Sequence, residues 1–285
     1  MKNSHDFILT LSCPDQVGIV YYITGALLEL SGNIVTSQQF GDEDTKQFFL
    51  RIRFTVPSDI SQEQIEAKLE DIKQRFNMDL NLYPVNQKSR VLILVSKQGH
   101  CLNDLLFRTH SGLLHMDIVG IVSNHRDHEK MAETYGIPFH YLPVSNENRA
   151  EQEASILKLV NDLEVDLVVL ARYMQILSDN LSKALEGKAI NIHHSFLPSF
   201  KGAKPYHQAH QRGVKIIGAT AHYVTSELDE GPIIEQDVQH VDHRLSADNL
   251  AQVGSDIESL VLSRAVKSFI EHRILLNGHR TVVFN

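Results

Sequence analysis

The chain has 285 residues, 42% hydrophobic and 22% charged, with a formal net charge of -8 at pH 7. That length favours two domains over one, and the absence of a long Lys/Arg run argues against nucleic acid as a partner and for a small molecule. Only Cys13 and Cys101 are available for a disulfide or thiolate cage, the N-terminus lacks a signal-peptide pattern, and no apolar run reaches about eighteen residues, so a cytoplasmic protein without membrane partners is expected.

Residues 7–13, FILTLSC, alternate as a half-buried strand does, and Pro14, Asp15 and Gly18 then turn the chain into a helix. Ile19, Ile23, Ala26, Leu27 and Leu30 share its inner face, and Gly32 is placed to end it. Two strands follow, residues 34–40 and 47–56, the second with Leu50, Ile52, Phe54 and Val56 opposite Arg51, Arg53 and Thr55. Ser61 and Gln64 form a capping box for a helix with Ile65, Leu69, Ile72 and Phe76 inward, before a strand at 78–83. The order βαββαβ predicts a ferredoxin-like unit over residues 1–84, with a polar linker at 85–89.

From residue 90 the rhythm changes. RVLILVS is a continuous apolar run, as in a strand buried on both faces of a parallel sheet, and further strands are expected at 117–124, 138–144, 165–171 and 189–192. Helices are expected between them at 102–114, 128–135, 149–163 and 178–185. This alternation over residues 90–285 predicts a doubly wound, mostly parallel α/β domain with its ligand beyond the carboxyl ends of the strands. Neither dinucleotide nor P-loop fingerprints occur, which removes most support for a dehydrogenase or an NTPase.

Asn191 and His193 close a predicted strand on one side of it. An amide NH2 suits a developing oxyanion, and an imidazole moves protons near neutral pH. A metal reading rests on His193, His194, His207, His210 and His222, but residues 187–226 contain no Asp, Glu or Cys, so metal-free acid/base chemistry is favoured. His207 and His210 are expected on an exposed helix at 206–212. Carboxylates return in TSELDEGPIIEQ, where Asp229 is placed to orient His193 or a water, while Glu227 and Glu230 read as a solvated turn.

Two resemblances sharpen this reading. Residues 9–34, LTLSCPDQVGIVYYITGALLELSGNI, resemble the opening of an ACT domain, a family that binds amino acids or pairs subunits. The resemblance implies an amino-acid effector near Asp15, Gln16 and Gly18, beside the plainer reading that Gly18 serves a tight turn, and it implies a homo-oligomer. INIHHSFLPSFKG with GATAHYVTSELDEGPIIEQ resembles the folate-dependent formyltransferase family, which implies catalytic roles for Asn191, His193 and Asp229. VLARYMQIL resembles that family's folate-contacting segment, making Met174, Ile176 and Leu177, with His194, candidate substrate contacts.

The chain departs from the glycinamide ribonucleotide transferases of that family in two places. SKQGHCL replaces their glycine-rich phosphate loop, and His194 stands where they usually carry proline. Water is then the simplest acceptor. The implied reaction is hydrolysis of 10-formyltetrahydrofolate to formate and tetrahydrofolate, with formate feeding one-carbon and purine metabolism and no metal or cofactor beyond the folate substrate. Asn191 and protonated His193 would stabilise the oxyanion while Asp229 positions the water. The alternatives are transfer to an unidentified amine and a non-catalytic amino-acid sensor.

Overall fold

The computed structural model describes residues 4–197 and 205–285; Pro198 and Gly202 of the histidine-rich motif lie outside the described residues. The chain divides into two compact units, Met1–Lys88 with Glu271–Asn285, and Ser89–Ile270.

The first unit runs β1 (Ser4–Pro14), α1 (Ile19–Glu29), β2 (Asn33–Asp42), β3 (Gln47–Pro57), α2 (Gln62–Arg75) and β4 (Asp79–Pro84). Its antiparallel sheet has the order β2-β3-β1-β4. Leu9, Leu11, Leu50, Ile52 and Phe54 of the sheet are buried with Ile23, Leu27, Ile65 and Leu69 of the two helices, the faces expected from the period of each element. The Ser61–Gln64 capping box is formed in both directions. Gly18 caps α1 at φ 101°, a conformation open to glycine. The end of α1 differs from expectation, because Ser31 takes the left-handed turn at φ 54°. Gly32 is needed for space instead: a Cβ there would lie 2.7 Å from the Leu27 carbonyl oxygen.

The last fifteen residues also differ. The second domain is expected to run to residue 285, yet Glu271–Asn285 belongs with the first unit. Arg51, read as an outward residue of β3, is only 8% exposed, because its guanidinium donates to the carbonyls of Glu271 and His272. Asp42 accepts from Asn277 and Arg280, and Tyr83 stacks on His272 at 3.6 Å. Polar groups that looked solvent-facing therefore find partners about 220 residues away in sequence.

The second unit runs β5 (Ser89–Val95), α3 (His100–His110), β6 (Met116–Ser123), α4 (Glu129–Thr134), β7 (Phe139–Tyr141), α5 (Arg149–Asp162) and β8 (Leu167–Leu170). It continues through α6 (Asp179–Ala184), β9 (Ala189–His193), α7 (Pro205–Arg212), β10 (Ile216–Tyr223), β11 (Ile233–His240) and α8 (Ala247–Ile270). The sheet order is β11-β10-β9-β8-β5-β6-β7; the last five are parallel and β10 runs antiparallel to both its neighbours. Val91 to Val95 are fully buried, as a strand covered on both faces requires. β5 lies between β8 and β6, so the chain order reverses there and opens a crevice at the carboxyl ends. α8, unanticipated from sequence, buries Leu250, Ile257, Val261, Leu262 and Val266, and with them the acidic Glu258. Among the described residues, no helix is long and apolar enough to cross a membrane.

Candidate active site

The crevice holds a cavity of about 320 Å³, lined by the segment following β8, the end of β9 and the loop after β10. Arg172, at φ 64°, turns the chain out of β8, and Met174, Ile176 and Leu177 line the cavity wall. Met174 and Ile176 are each 59% exposed, an apolar surface open to a ligand. The backbone N–H of Met174 donates to Ser96 Oγ, which itself donates to Asn124 Oδ1, tying the segment to the ends of β5 and β6.

Asn191 and His193 line the same cavity. In the antiparallel register of β9 with β10, Asn191 faces His222 and His193 faces Thr220. Thr220 is fully buried; its hydroxyl donates to the Ser195 carbonyl and accepts from the Leu197 N–H, fixing the turn directly after β9. Asp229 arrives from the loop between β10 and β11, at φ 59°, with its carboxylate 3.2 Å from His193 Nδ1 and 3.7 Å from His222 Nε2. Burial alone would raise the Asp229 carboxyl, but hydrogen bonds from His193 and His222 and the charges of both rings outweigh it and hold the group well below the usual carboxylate range. Asp229 is thus a carboxylate whose acceptance fixes the His193 proton on Nδ1 and leaves Nε2 for chemistry.

His222 was weighed in the sequence only as a metal ligand, and the structure gives it another setting. It is 2% exposed, and its Nδ1 donates to the Tyr223 carbonyl at 2.9 Å. Its Nε2 lies between Asn191 Nδ2 at 3.3 Å and the Asp229 carboxylate at 3.7 Å. Alternation of β10 could have placed His222 opposite Asn191, but only the strand pairing shows it.

Glu227 and Glu230 are exposed, and so are His207 and His210 on α7, as expected of each. Asp15 and Gln16 are exposed in the turn between β1 and α1, in the first unit. Among the described residues, the cluster with metal-ligand spacing is His100, Cys101 and Glu258, away from the residues expected in the sequence. Its carboxylate is already engaged by His100 at 2.7 Å, Tyr206 at 2.6 Å and Arg172 at 3.4 Å.

The Asp229 loop is held by Gly231. A Cβ on Gly231 would lie 1.8 Å from the Tyr223 carbonyl oxygen, a backbone atom that also accepts from His222. Gly231→Ala must therefore displace Asp229 and His222 together, lowering turnover by about a hundredfold, the effect expected of misplacing reacting groups by about 1 Å. Steady-state kinetics with a thermal melt would check this, and unchanged turnover would refute it.

Residues 89–266 match the Formyl transferase family and residues 5–83 match the ACT domain family. The chain is 51% identical over 278 residues to formyltetrahydrofolate deformylase from Corynebacterium sp. strain P-1, covering 97% of each. A crystal structure of formyltetrahydrofolate deformylase from Burkholderia mallei superposes with a TM-score of 0.95 at 50% identity, covering 99% of this chain and 100% of that one. The chain belongs to the formyltetrahydrofolate deformylase family. By contrast, glycinamide ribonucleotide transformylase 1 from Symbiobacterium toebii superposes with a TM-score of 0.66 at 28% identity and covers 72% of this chain. The likeness to deformylases thus spans both units, whereas 28% of the chain lies outside the match to the transferase.

Proposed function

We propose that this cavity hydrolyses 10-formyltetrahydrofolate to formate and tetrahydrofolate, using Asn191, His193 and Asp229. The observation carrying this reading is the convergence of those three side chains on one cavity, in a chain similar to formyltetrahydrofolate deformylases over nearly its whole length. Water attacks the formyl carbon. His193 Nε2 takes one proton from it and later delivers that proton to the departing N10 of the folate. Asn191 donates through Nδ2 to the oxyanion of the tetrahedral intermediate. Asp229 remains ionised, holds the imidazole by Nδ1 and balances the positive charge that it gains. Of the two tasks the sequence offered Asp229, orienting His193 or positioning the water, this reading takes the first. The exposed apolar side chains of Met174 and Ile176 supply a surface for the pterin. The chemistry given to these residues calls for no metal or further cofactor.

Three further readings attach to the chain rather than to the cavity. The exposed β1–α1 turn with Asp15, Gln16 and Gly18 is the place for an amino-acid effector, and the exposed Ile34, Val35 and Phe40 on the edge strand β2 favour pairing of subunits. Cys13 and Cys101, both free and buried, suit a cytoplasmic setting where formate enters one-carbon and purine metabolism. The test is incubation of the purified chain with 10-formyltetrahydrofolate alone, with and without each amino acid, alongside sedimentation of the same preparation. Formate should appear without any amine, and the particle should be larger than 32.2 kDa. Turnover only upon adding an amine would make it a transferase.

A further inference from the structure

His194 immediately follows the last residue of β9, so strand alternation would turn it away from His193. Instead the chain bends, and the two imidazoles stack with centroids 4.7 Å apart and planes 21° from parallel, both lining the cavity. Arg172 Nη1 lies 2.9 Å from His194 Nδ1. A guanidinium only donates, so His194 Nδ1 accepts, and the ring carries its hydrogen on Nε2. Arg172 is 8% exposed and is itself held, donating through Nε to Gln98 Oε1 at 2.8 Å and lying 3.4 Å from the buried carboxylate of Glu258. Burial first, and then the charges of Arg172 and His193, lower the His194 pKa to about 4, against smaller opposing effects of Glu258 and Asp229, so the ring stays neutral at working pH.

The consequence is a pair of unlike nitrogens. His193 Nε2 and His194 Nε2 are both buried without a hydrogen-bond partner among the described residues. In the neutral rings the first is a lone pair, because Asp229 holds the Nδ1 proton, and the second is an N–H, because Arg172 occupies Nδ1. Buried polar atoms without partners are uncommon enough to require an explanation. A water that donates to His193 and accepts from His194 would satisfy both, with its remaining lone pair free to attack.

We propose that His194 binds the hydrolytic water through Nε2–H, making the stacked His193–His194 pair the nucleophile subsite, with Glu258 acting through Arg172 as a positioning residue for it. This inference rests on the hydrolytic reading above. In the step, the water oxygen bonds to the formyl carbon and one water proton passes to His193 Nε2. The C–N10 bond then breaks as that proton moves to N10, and the second water proton leaves with formic acid, which ionises. His194 keeps its own proton throughout, supplying orientation only.

The test uses the full chain with 10-formyltetrahydrofolate, in the presence and absence of hydroxylamine, measuring formate and formohydroxamate. His194→Phe keeps a stacking ring and removes the donor, so kcat for formate should fall about a hundredfold with KM little changed, the size seen when one transition-state donor is removed. His194→Gln, which retains an N–H donor, should restore about tenfold of that loss. Hydroxylamine brings its own nucleophile, so the ratio of formohydroxamate to formate should rise in the Phe variant relative to the unmodified chain. A purely structural role would lower both products in parallel and overturn the proposal, as would formate release by the Phe variant close to that of the unmodified chain. If the Phe variant does not fold, His194→Leu, which also lacks a donor, carries the same ratio measurement. No formate from the unmodified chain would overturn the hydrolytic reading itself, and this proposal with it.

Discussion

His193→Ala and Asp229→Ala each lower formate release by about a thousandfold or more in kcat, while folate binding stays within about tenfold, roughly 1.4 kcal/mol. The asymmetry follows from where the groups act. In the proposed reading the folate lies against Met174, Ile176 and Leu177, whereas His193 and Asp229 meet each other in the same cavity through one 3.2 Å contact. Removing either ring or carboxylate destroys the same acid/base unit, so the double variant should be little worse than either single one. Asp229→Asn is the sharper probe: it keeps the shape at φ 59°, where Asn is tolerated as Asp is, but loses the charge that balances the His193 imidazolium. It should fall nearly as far as Asp229→Ala, with its structure intact. Formate release and substrate binding by each variant decide the matter, and substantial turnover in either alanine variant removes the residue from the mechanism.

The elements that position this site were legible where the signal was local. β5 announced itself as an unbroken apolar run, α2 by the Ser61–Gln64 box, and β9 by placing Asn191 and His193 on one side. The Asp229 partnership was also within reach, since β10 and β11 flank a short loop and only one of its carboxylates is drawn inward. What escaped the sequence were pairings between distant segments. The stretch from 187 to 226 contains no acid, which suggested surroundings free of carboxylate. Yet α8 delivers Glu258 to Tyr206 and Arg172, and Arg172 reaches His194. No local periodicity marks a buried Glu on a helix whose apolar face is already wide. The tail 271–285 was misassigned for the same reason, because the partners that draw it to the first unit are Arg51, Asp42 and Tyr83, each unremarkable in its own strand.

Glu258→Gln is expected to destabilise the second unit by about 3–5 kcal/mol, the range for breaking a buried pair by removing one partner. Glu258 is 1% exposed and holds His100, Tyr206 and Arg172 around one carboxylate. Glutamine keeps the volume but cannot neutralise Arg172, which would be left as a buried cation. Tyr206→Phe deletes one hydrogen bond to the same carboxylate and should cost less, about 1.5–3 kcal/mol, so the order of the two variants tests whether charge or hydrogen bonding dominates. The pH dependence carries a definite sign. Burial opposes ionisation of Glu258, but the hydrogen bond from His100, the charge of Arg172 and the Tyr206 hydroxyl prevail and lower its pKa. A carboxyl whose folded pKa is depressed contributes stability above its unfolded pKa of about 4.3, and loses it as pH falls through the folded value. Acid should therefore destabilise the unmodified chain more than Glu258→Gln, and the two melting curves should converge as pH is lowered below about 4. Melts of both proteins across that range read the difference directly, and a gap that is constant with pH would show that Glu258 is not ionised in the folded chain.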